Sequence, residues 1–291
     1  MSWLITGGSG QLGIAVSQEL GERVSDFRAW NSQDLNITQG PIVKGFIGKL
    51  SPKVIINCAA WTDVDGAEGN EIGASRVNSD GAVNVALAAR ECGARFIQLS
   101  TDYVFSGERD FPWEADDALD PQSAYGRTKA EGETRVLKTY PKKSFIVRTA
   151  WLYSPWGKNF AKTMTRLAIN GEGEARVVND QVGQPTSATD LAKQLVDLGL
   201  SDAPAGIYHG TNSGQATWFE FAQEVFKLAG ADVRRVVPTS SSEFARPAKR
   251  PAYSVLSHKA WSQTSIEPMR EWRIALAEAM PAIISAVEAE E

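Results

Sequence analysis

Tyr125-Gly126-Arg127-Thr128-Lys129 places a phenol and an ammonium four residues apart, on one face if the segment is helical. A tyrosine hydroxyl titrates near ~10, and a neighbouring ammonium stabilises the phenolate and lowers that value. The pair suits proton donation to a carbonyl oxygen as hydride arrives from a nicotinamide. Tyr-x-x-x-Lys is common by chance and usually marks an exposed helix pair, so its weight comes from its place between a fourth and a fifth strand. A third member is expected at Ser100-Thr101-Asp102-Tyr103, where the fourth strand ends. Either Ser100 or Thr101 can bond the carbonyl and Tyr125 together, and either can equally satisfy loose backbone groups at the strand end.

Gly7-Gly8-Ser9-Gly10-Gln11-Leu12-Gly13 spaces its glycines G-x-x-G-x-x-G between a strand and a helix. A turn this tight needs residues that tolerate positive φ and let the backbone approach a pyrophosphate. A helix starting near Gln11 then presents free N–H groups and partial positive charge to phosphate. At the ribose-reading position an acidic residue would favour NAD. Arg28, Trp30 and Asn31 stand there instead and lean toward NADP, although Arg28 also reads as a solvated strand-end charge. Asp34-Leu35-Asn36-Ile37 is either an adenosine contact or a capping turn.

These residues need a frame, and the chain of 291 residues is long enough for two fused lobes. Short apolar runs alternate with helical patterns in the first half, the signature of a doubly wound parallel sheet. Strands are predicted at Trp3–Thr6, 23–28, 54–58, 95–100 and 144–149. Helices are predicted at Gln11–Leu20, 42–50, 74–90 and 125–137. Beyond Ala150 come a helix over 160–169, a strand at Ala175–Val178 and a helix over 189–198. A strand at 207–209 and a helix over 218–229 follow. Residues 240–254, rich in Ser, Pro and Arg, read as a surface loop. The fold class is therefore α/β, a Rossmann-type sheet with a smaller interleaved C-terminal lobe. The division expected is 1–150, with return segments near 187–212, for the dinucleotide, and 151–186 with 213–291 for substrate.

The net charge of −5 argues against a nucleic-acid partner. Cys58, Cys92, His209 and His258 have no metal-site spacing, and the two cysteines read as buried free thiols rather than a disulfide. No apolar stretch reaches the roughly 20 residues that span a bilayer. A strand begins almost at the N-terminus, leaving no room for a signal peptide, so a cytoplasmic protein is expected.

Several segments together closely resemble dTDP-4-dehydrorhamnose reductases. They are Gly7–Gly13, Asn57-Cys58-Ala59-Ala60-Trp61-Thr62-Asp63-Val64-Asp65, Ser100–Phe105, Tyr125–Lys129, Arg148-Thr149-Ala150-Trp151, Gly157–Phe160, Asp180–Thr186, Gly206–His209 and Arg246-Pro247. The match runs over nearly the whole chain in the family's order. It implies an extended short-chain dehydrogenase that reduces dTDP-4-dehydro-β-L-rhamnose to dTDP-β-L-rhamnose, a donor for polysaccharide synthesis. NADPH is the cofactor implied, with NADH left open, and the partner is a dTDP-linked 4-keto-6-deoxyhexose.

On that resemblance Tyr125 is the proton donor, Lys129 tunes it and holds the nicotinamide ribose, and Thr101 is the catalytic hydroxyl. Gly7, Gly10, Gln11, Leu12 and Gly13 take the diphosphate, Asp34 and Leu35 the adenosine side, and Ala60, Trp61 and Thr62 flank the cofactor. Asp102, Trp151, Asn159 and Arg246 are placed at the substrate, Trp151 by its flat face. Some relatives hold Mg²⁺ at a dimer interface through an acidic residue two positions after Gly13. Ala15 stands there, which puts Mg²⁺ in doubt, and a homodimer is left open. The rivals are a reductase or epimerase for another nucleotide sugar, and a non-catalytic NADP-binding subunit like the similar β subunit of methionine adenosyltransferase. Thr101, Tyr125 and Lys129 together favour the enzyme.

Overall fold

The computed structural model describes residues 2–24, 26–244 and 246–290. The first half winds β1 (Trp3–Thr6), α1 (Gln11–Arg23), β2 (Phe27–Trp30), α2 (Gly40–Leu50) and β3 (Val54–Asn57). It continues through α3 (Val64–Gly69), α4 (Glu71–Ser75), a wide π turn (Arg76–Gly81), α5 (Ala82–Cys92), β4 (Arg95–Thr101), α6 (Ala124–Thr139) and β5 (Ser144–Thr149). The second half adds β6 (Leu152–Tyr153), α7 (Phe160–Asn170), β7 (Ala175–Val178), β8 (Val182–Gly183), β9 (Thr186–Ser187) and α8 (Ala188–Leu200). It ends with β10 (Gly206–His209), β11 (Ala216–Thr217), α9 (Trp218–Leu228), β12 (Val236–Thr239) and α10 (Trp272–Glu288).

Six strands form one all-parallel sheet in the order β2-β1-β3-β4-β5-β10. The order reverses between β1 and β3, so a crevice opens at the carboxyl ends of those strands. Strands this apolar bury both faces because successive side chains point opposite ways. Trp3, Ile5, Ile56 and Val147 pack on α1 and α8, while Leu4, Ile55, Phe96 and Ile146 pack on α2, α5 and α6. A separate core joins α7, α9, α10, β7 and β12 around Phe221, Phe226 and Trp272. Among the described residues no helix is long and apolar enough to cross a membrane.

The structure differs from the sequence expectation at three elements. The second strand is Phe27–Trp30, not 23–28, because α1 continues past Gly21 to Arg23. Arg23 is held there by ion pairs to Glu19 and Asp197. The helix expected over 74–90 is instead α4, the π turn and α5, because Asn78 in the wide turn is drawn inward by tertiary hydrogen bonds. Helix α10, with Pro281 in its interior, had no counterpart in the sequence pattern, since proline normally ends a helix. Ser25, within the predicted second strand, and Ala245, within the predicted 240–254 loop, lie outside the described residues. Both cysteines are free.

Helix α8 closes on β1 through Gly199, where a Cβ would stand 2.2 Å from Cη2 of the fully buried Trp3. Gly199→Ala should cost about 1–3 kcal/mol by overpacking, more than the ~1 kcal/mol alanine gains in a helix. Thermal or urea unfolding would register the loss; an unchanged midpoint would mean that α8 shifts freely on the sheet.

Candidate active site

The crevice is a cleft of about 710 Å³. One end is the glycine turn after β1. Gly7 has φ +72°, and a Cβ on it would stand 2.6 Å from the Ala59 nitrogen after β3. A Cβ on Gly13 would stand 2.2 Å from the Gly7 carbonyl oxygen. Only hydrogen fits at either place, so the turn lies flat against both the sheet and the first turn of α1. Gly10 caps that helix without a side-chain acceptor, and the first turn carries no acidic residue. The free N–H groups of a thirteen-residue helix therefore face the cleft, a cradle suited to a diphosphate.

Gly7, Gly10, Gln11, Leu12 and Gly13 line this end, with Leu35 toward β2 and Ala60, Trp61 and Thr62 on the opposite wall. The wall is held by Asn78, whose Oδ1 accepts from the Trp61 N–H at 2.9 Å. Asn78 Nδ2 donates to Trp61 O at 3.2 Å and to Thr128 Oγ1 at 3.1 Å, tying the wall to α6. Nothing in the sequence marked Asn78, because its role depends on the π turn that aims it.

At the other end Thr101, Asp102, Tyr125, Lys129 and Trp151 line the same cleft. Ser123 starts α6 by accepting from Gly126 N at 3.1 Å, which sets the angle at which the Tyr-Lys face meets the sheet. Tyr125 and Trp61 both pack against the cluster of Ala67, Ala74 and Ala124, with Tyr103 edge-on to Tyr125 at 5.6 Å. Lys129 Nζ donates to Leu99 O of β4 at 2.7 Å. Thr101 Oγ1 donates to Asp102 Oδ1 at 3.0 Å and accepts from Tyr103 N at 3.2 Å. Ser100 Oγ and Asp102 Oδ2 are buried beside them with no hydrogen-bond partner among the described residues.

Burial controls the protons here. It pushes Tyr125 up to about 12, with contact to the Thr101 hydroxyl pulling the other way and the Asp102 charge adding to the rise. This reverses the lowering expected from Tyr-x-x-x-Lys spacing. The buried Lys129 is bonded to a backbone carbonyl and is itself brought down to about 8 by burial, against the pull of Glu133 and Cys58. Asp102 is raised to about 6 by burial, which the Ser254 and Thr101 hydroxyls only partly offset.

Trp151 lines this cleft and stacks on Trp218, which lines a second cleft of about 820 Å³. Its backbone takes φ +46°, a region costly for a bulky residue. Its ring stacks on Trp218 at 3.6 Å, and a Cβ on Gly183 would stand 2.5 Å from Cε2. Trp218, Phe160, Arg246 and Arg250 line the second cleft, and Tyr103 lines both. Arg250 chelates Asp65 through Nη1 at 2.8 Å and Nη2 at 2.9 Å, while the more exposed Arg246 stands 3.5 Å from the same carboxylate.

Two expected site residues are not brought to either cleft. Asp34 turns back to accept from Asn31 N at 3.0 Å, the capping-turn alternative. Asn159 caps α7 by accepting from Lys162 N at 3.0 Å and donates to Gln11 Oε1 at 3.0 Å, so it braces the glycine-turn helix from behind. Ala15 is buried in the core, and among the described residues no cluster of His, Cys, Asp or Glu could hold a metal.

Because the folded carboxyl of Asp102 titrates above the ordinary aspartate value of 3.8, its contribution to stability is present below about pH 4 and lost as pH rises through about 6. Asp102→Asn should therefore be more stable than the parent at pH 8, by on the order of 2–3 kcal/mol, with the gain vanishing near pH 4. Melting curves at the two pH values test this; an equal difference at both would refute it.

The RmlD substrate binding domain family model matches residues 1–284. A dTDP-4-dehydrorhamnose reductase of Streptomyces griseus is 46% identical over 97% of this chain and 93% of its own length. A dTDP-4-keto-6-deoxy-D-glucose reductase of Streptomyces niveus is 43% identical over 96% of each chain. The crystal structure of a dTDP-4-dehydrorhamnose reductase from Bacillus anthracis in complex with NADP is 38% identical, with a TM-score of 0.92 over 96% of this chain and 98% of that one. A parallel α/β sheet with a glycine cradle at its switch point and Thr101, Tyr125 and Lys129 in the same cleft thus accompanies a match over nearly the whole sequence, and the chain belongs to the RmlD substrate binding domain family.

Proposed function

We propose that this protein reduces the C4 keto group of dTDP-4-dehydro-β-L-rhamnose to dTDP-β-L-rhamnose, with NADPH as cofactor. The observation that carries the reading is one cleft with a glycine cradle at one end and Thr101, Tyr125 and Lys129 at the other. When bound, the dinucleotide supplies hydride to the carbonyl carbon. The chain does the rest. The Gly7–Gly13 turn and the N-terminus of α1 hold the diphosphate, Leu35 borders the adenosine, and Ala60, Trp61 and Thr62 flank the nicotinamide side.

Tyr125 stays protonated at neutral pH, so a proton is always present for the carbonyl oxygen as it becomes an alkoxide. Thr101 orients that oxygen and steadies the phenol. Lys129, still largely cationic near pH 7, holds the ribose and balances the phenolate left behind. Trp151 gives the sugar a flat wall, and Arg246 meets the diphosphate in the second cleft.

NADPH is preferred because Arg28, Trp30 and Asn31 stand at the end of β2, and the Oδ2 of Asp34 is turned back onto Asn31 N. The NADP complex of the Bacillus anthracis relative supports the same choice. A two-lobe division belongs to this reading: residues 1–150 with 187–212 for cofactor, 151–186 with 213–291 for sugar nucleotide. So does a cytoplasmic setting, where both charged reactants are dissolved. The Streptomyces niveus relative favours a second reading, in which the ring is that of a 4-keto-6-deoxy-D-glucose.

Tyr125→Phe should cut turnover by roughly 10²–10⁴-fold while NADPH affinity stays within about threefold of the parent. Absorbance of reduced cofactor with each keto sugar made in situ reads the rate, and cofactor fluorescence reads the affinity. An undiminished rate removes Tyr125 from the chemistry, and no oxidation of NADPH by the parent with either sugar removes the proposed activity.

A further inference from the structure

Helix α6 carries a third ionisable group on the face that holds Tyr125 and Lys129. Glu133 lies one turn beyond Lys129, and both are buried, at 2% and 4% exposure. Glu133 does not reach the cleft. Its carboxylate takes three hydrogen bonds from Arg148 of β5: from Nε to Oε1 at 3.0 Å and to Oε2 at 3.2 Å, and from Nη2 to Oε2 at 2.7 Å. Arg148, 1% exposed, also donates to Ala115 O at 3.0 Å, lies over the Phe105 ring at 4.8 Å and meets His209 Nε2 at 3.4 Å. The carboxylate is thus held by a planar fork from β5, one helical turn from Lys129 on α6.

We propose that Glu133, fixed by Arg148, is a positioning residue that keeps Lys129 charged at the working pH. A buried ammonium with one carbonyl as its only hydrogen-bond acceptor among the described residues tends to lose its proton, and a fixed anion one turn away opposes that. The other groups facing Lys129 do not do this. Cys58, after β3, would pull the same way as a thiolate, but burial pushes it up to about 12, so it is neutral at the working pH. Tyr125 is neutral as well. Asp102, beyond β4, acts on Tyr125 and is absent from the charges that act on Lys129. His209 of β10 is neutral behind Arg148, its pKa brought down to about 3. With burial holding Lys129 near 8, the loss of Glu133 would bring its titration into the neutral range.

The inference rests on the proposed reductase reading for its consequence, and its measurement is made independent of turnover. Competitive acetylation of Lys129 across roughly pH 6–10, followed by mass spectrometry, reads its proton affinity directly. In Glu133→Gln the Lys129 midpoint should fall by about one unit, a tenfold loss of proton affinity. The alkaline limb of kcat/KM should fall with it, while Glu133→Asp restores both. If Glu133→Gln does not fold with Arg148 left unpaired, Glu133→Gln/Arg148→Met removes the whole buried pair and should show a smaller fall in the same direction, because a cation leaves with the anion. A folded variant whose Lys129 midpoint matches the parent overturns the inference. Absence of turnover in the parent would instead count against the reductase reading, with the acetylation midpoint still deciding the role of Glu133.

Discussion

A single buried ammonium sets the terms for the rest of this structure. Lys129 sits inside the protein on α6, and a charge in that position needs a partner within reach or gives up its proton. The Leu99 carbonyl at the exit of β4 supplies one hydrogen bond, and Glu133 supplies opposite charge. Both depend on α6 lying across β4 and β5 at one angle. That angle is maintained by the Ser123 cap, by Thr128 bonded to Asn78, and by the Arg148–Glu133 fork. The phenol of Tyr125 shares the face and is aimed by the same contacts.

The cleft is assembled where two cores meet. On the cofactor side, two glycines permit backbone to pass so close to backbone that the turn after β1 rests on Ala59. On the far side, the stack of Trp151 on Trp218 carries the second core's aromatic packing into the cleft wall, and Trp218 is in turn packed on Phe160. The left-handed backbone at Trp151 is stable because its ring is enclosed by Trp218 and Gly183. Asn159 and Gln11 add a polar tie between the same halves. A shift of one core against the other would therefore move the wall beside the proposed sugar site.

Burial, more than sequence spacing, governs the site's acids and bases. Tyr-x-x-x-Lys suggests a phenol made acidic by its neighbour, whereas desolvation here raises Tyr125 and lowers Lys129, and each becomes easier to hold neutral. For a group meant to deliver a proton this is consistent chemistry. A phenol that stays protonated is always loaded, and the alkoxide that forms on a reduced carbonyl is basic enough to take the proton.

Local patterns determined much of what is seen. The apolar runs at Trp3–Thr6, Arg95–Thr101 and Ser144–Thr149, the glycine turn and the helical Tyr-Lys pair are legible because each depends on neighbours within a few residues. Tertiary structure decided what spacing cannot carry. It aimed Asn78 at the loop of Trp61, turned Asp34 and Asn159 away from the clefts, kept Pro281 inside a helix, and put Arg148 under Glu133. Each of these outcomes is a contact between residues distant in sequence or a side chain choosing among nearby partners. Their energies come from desolvation and packing, which exist only once the sheet and its helices have closed around them.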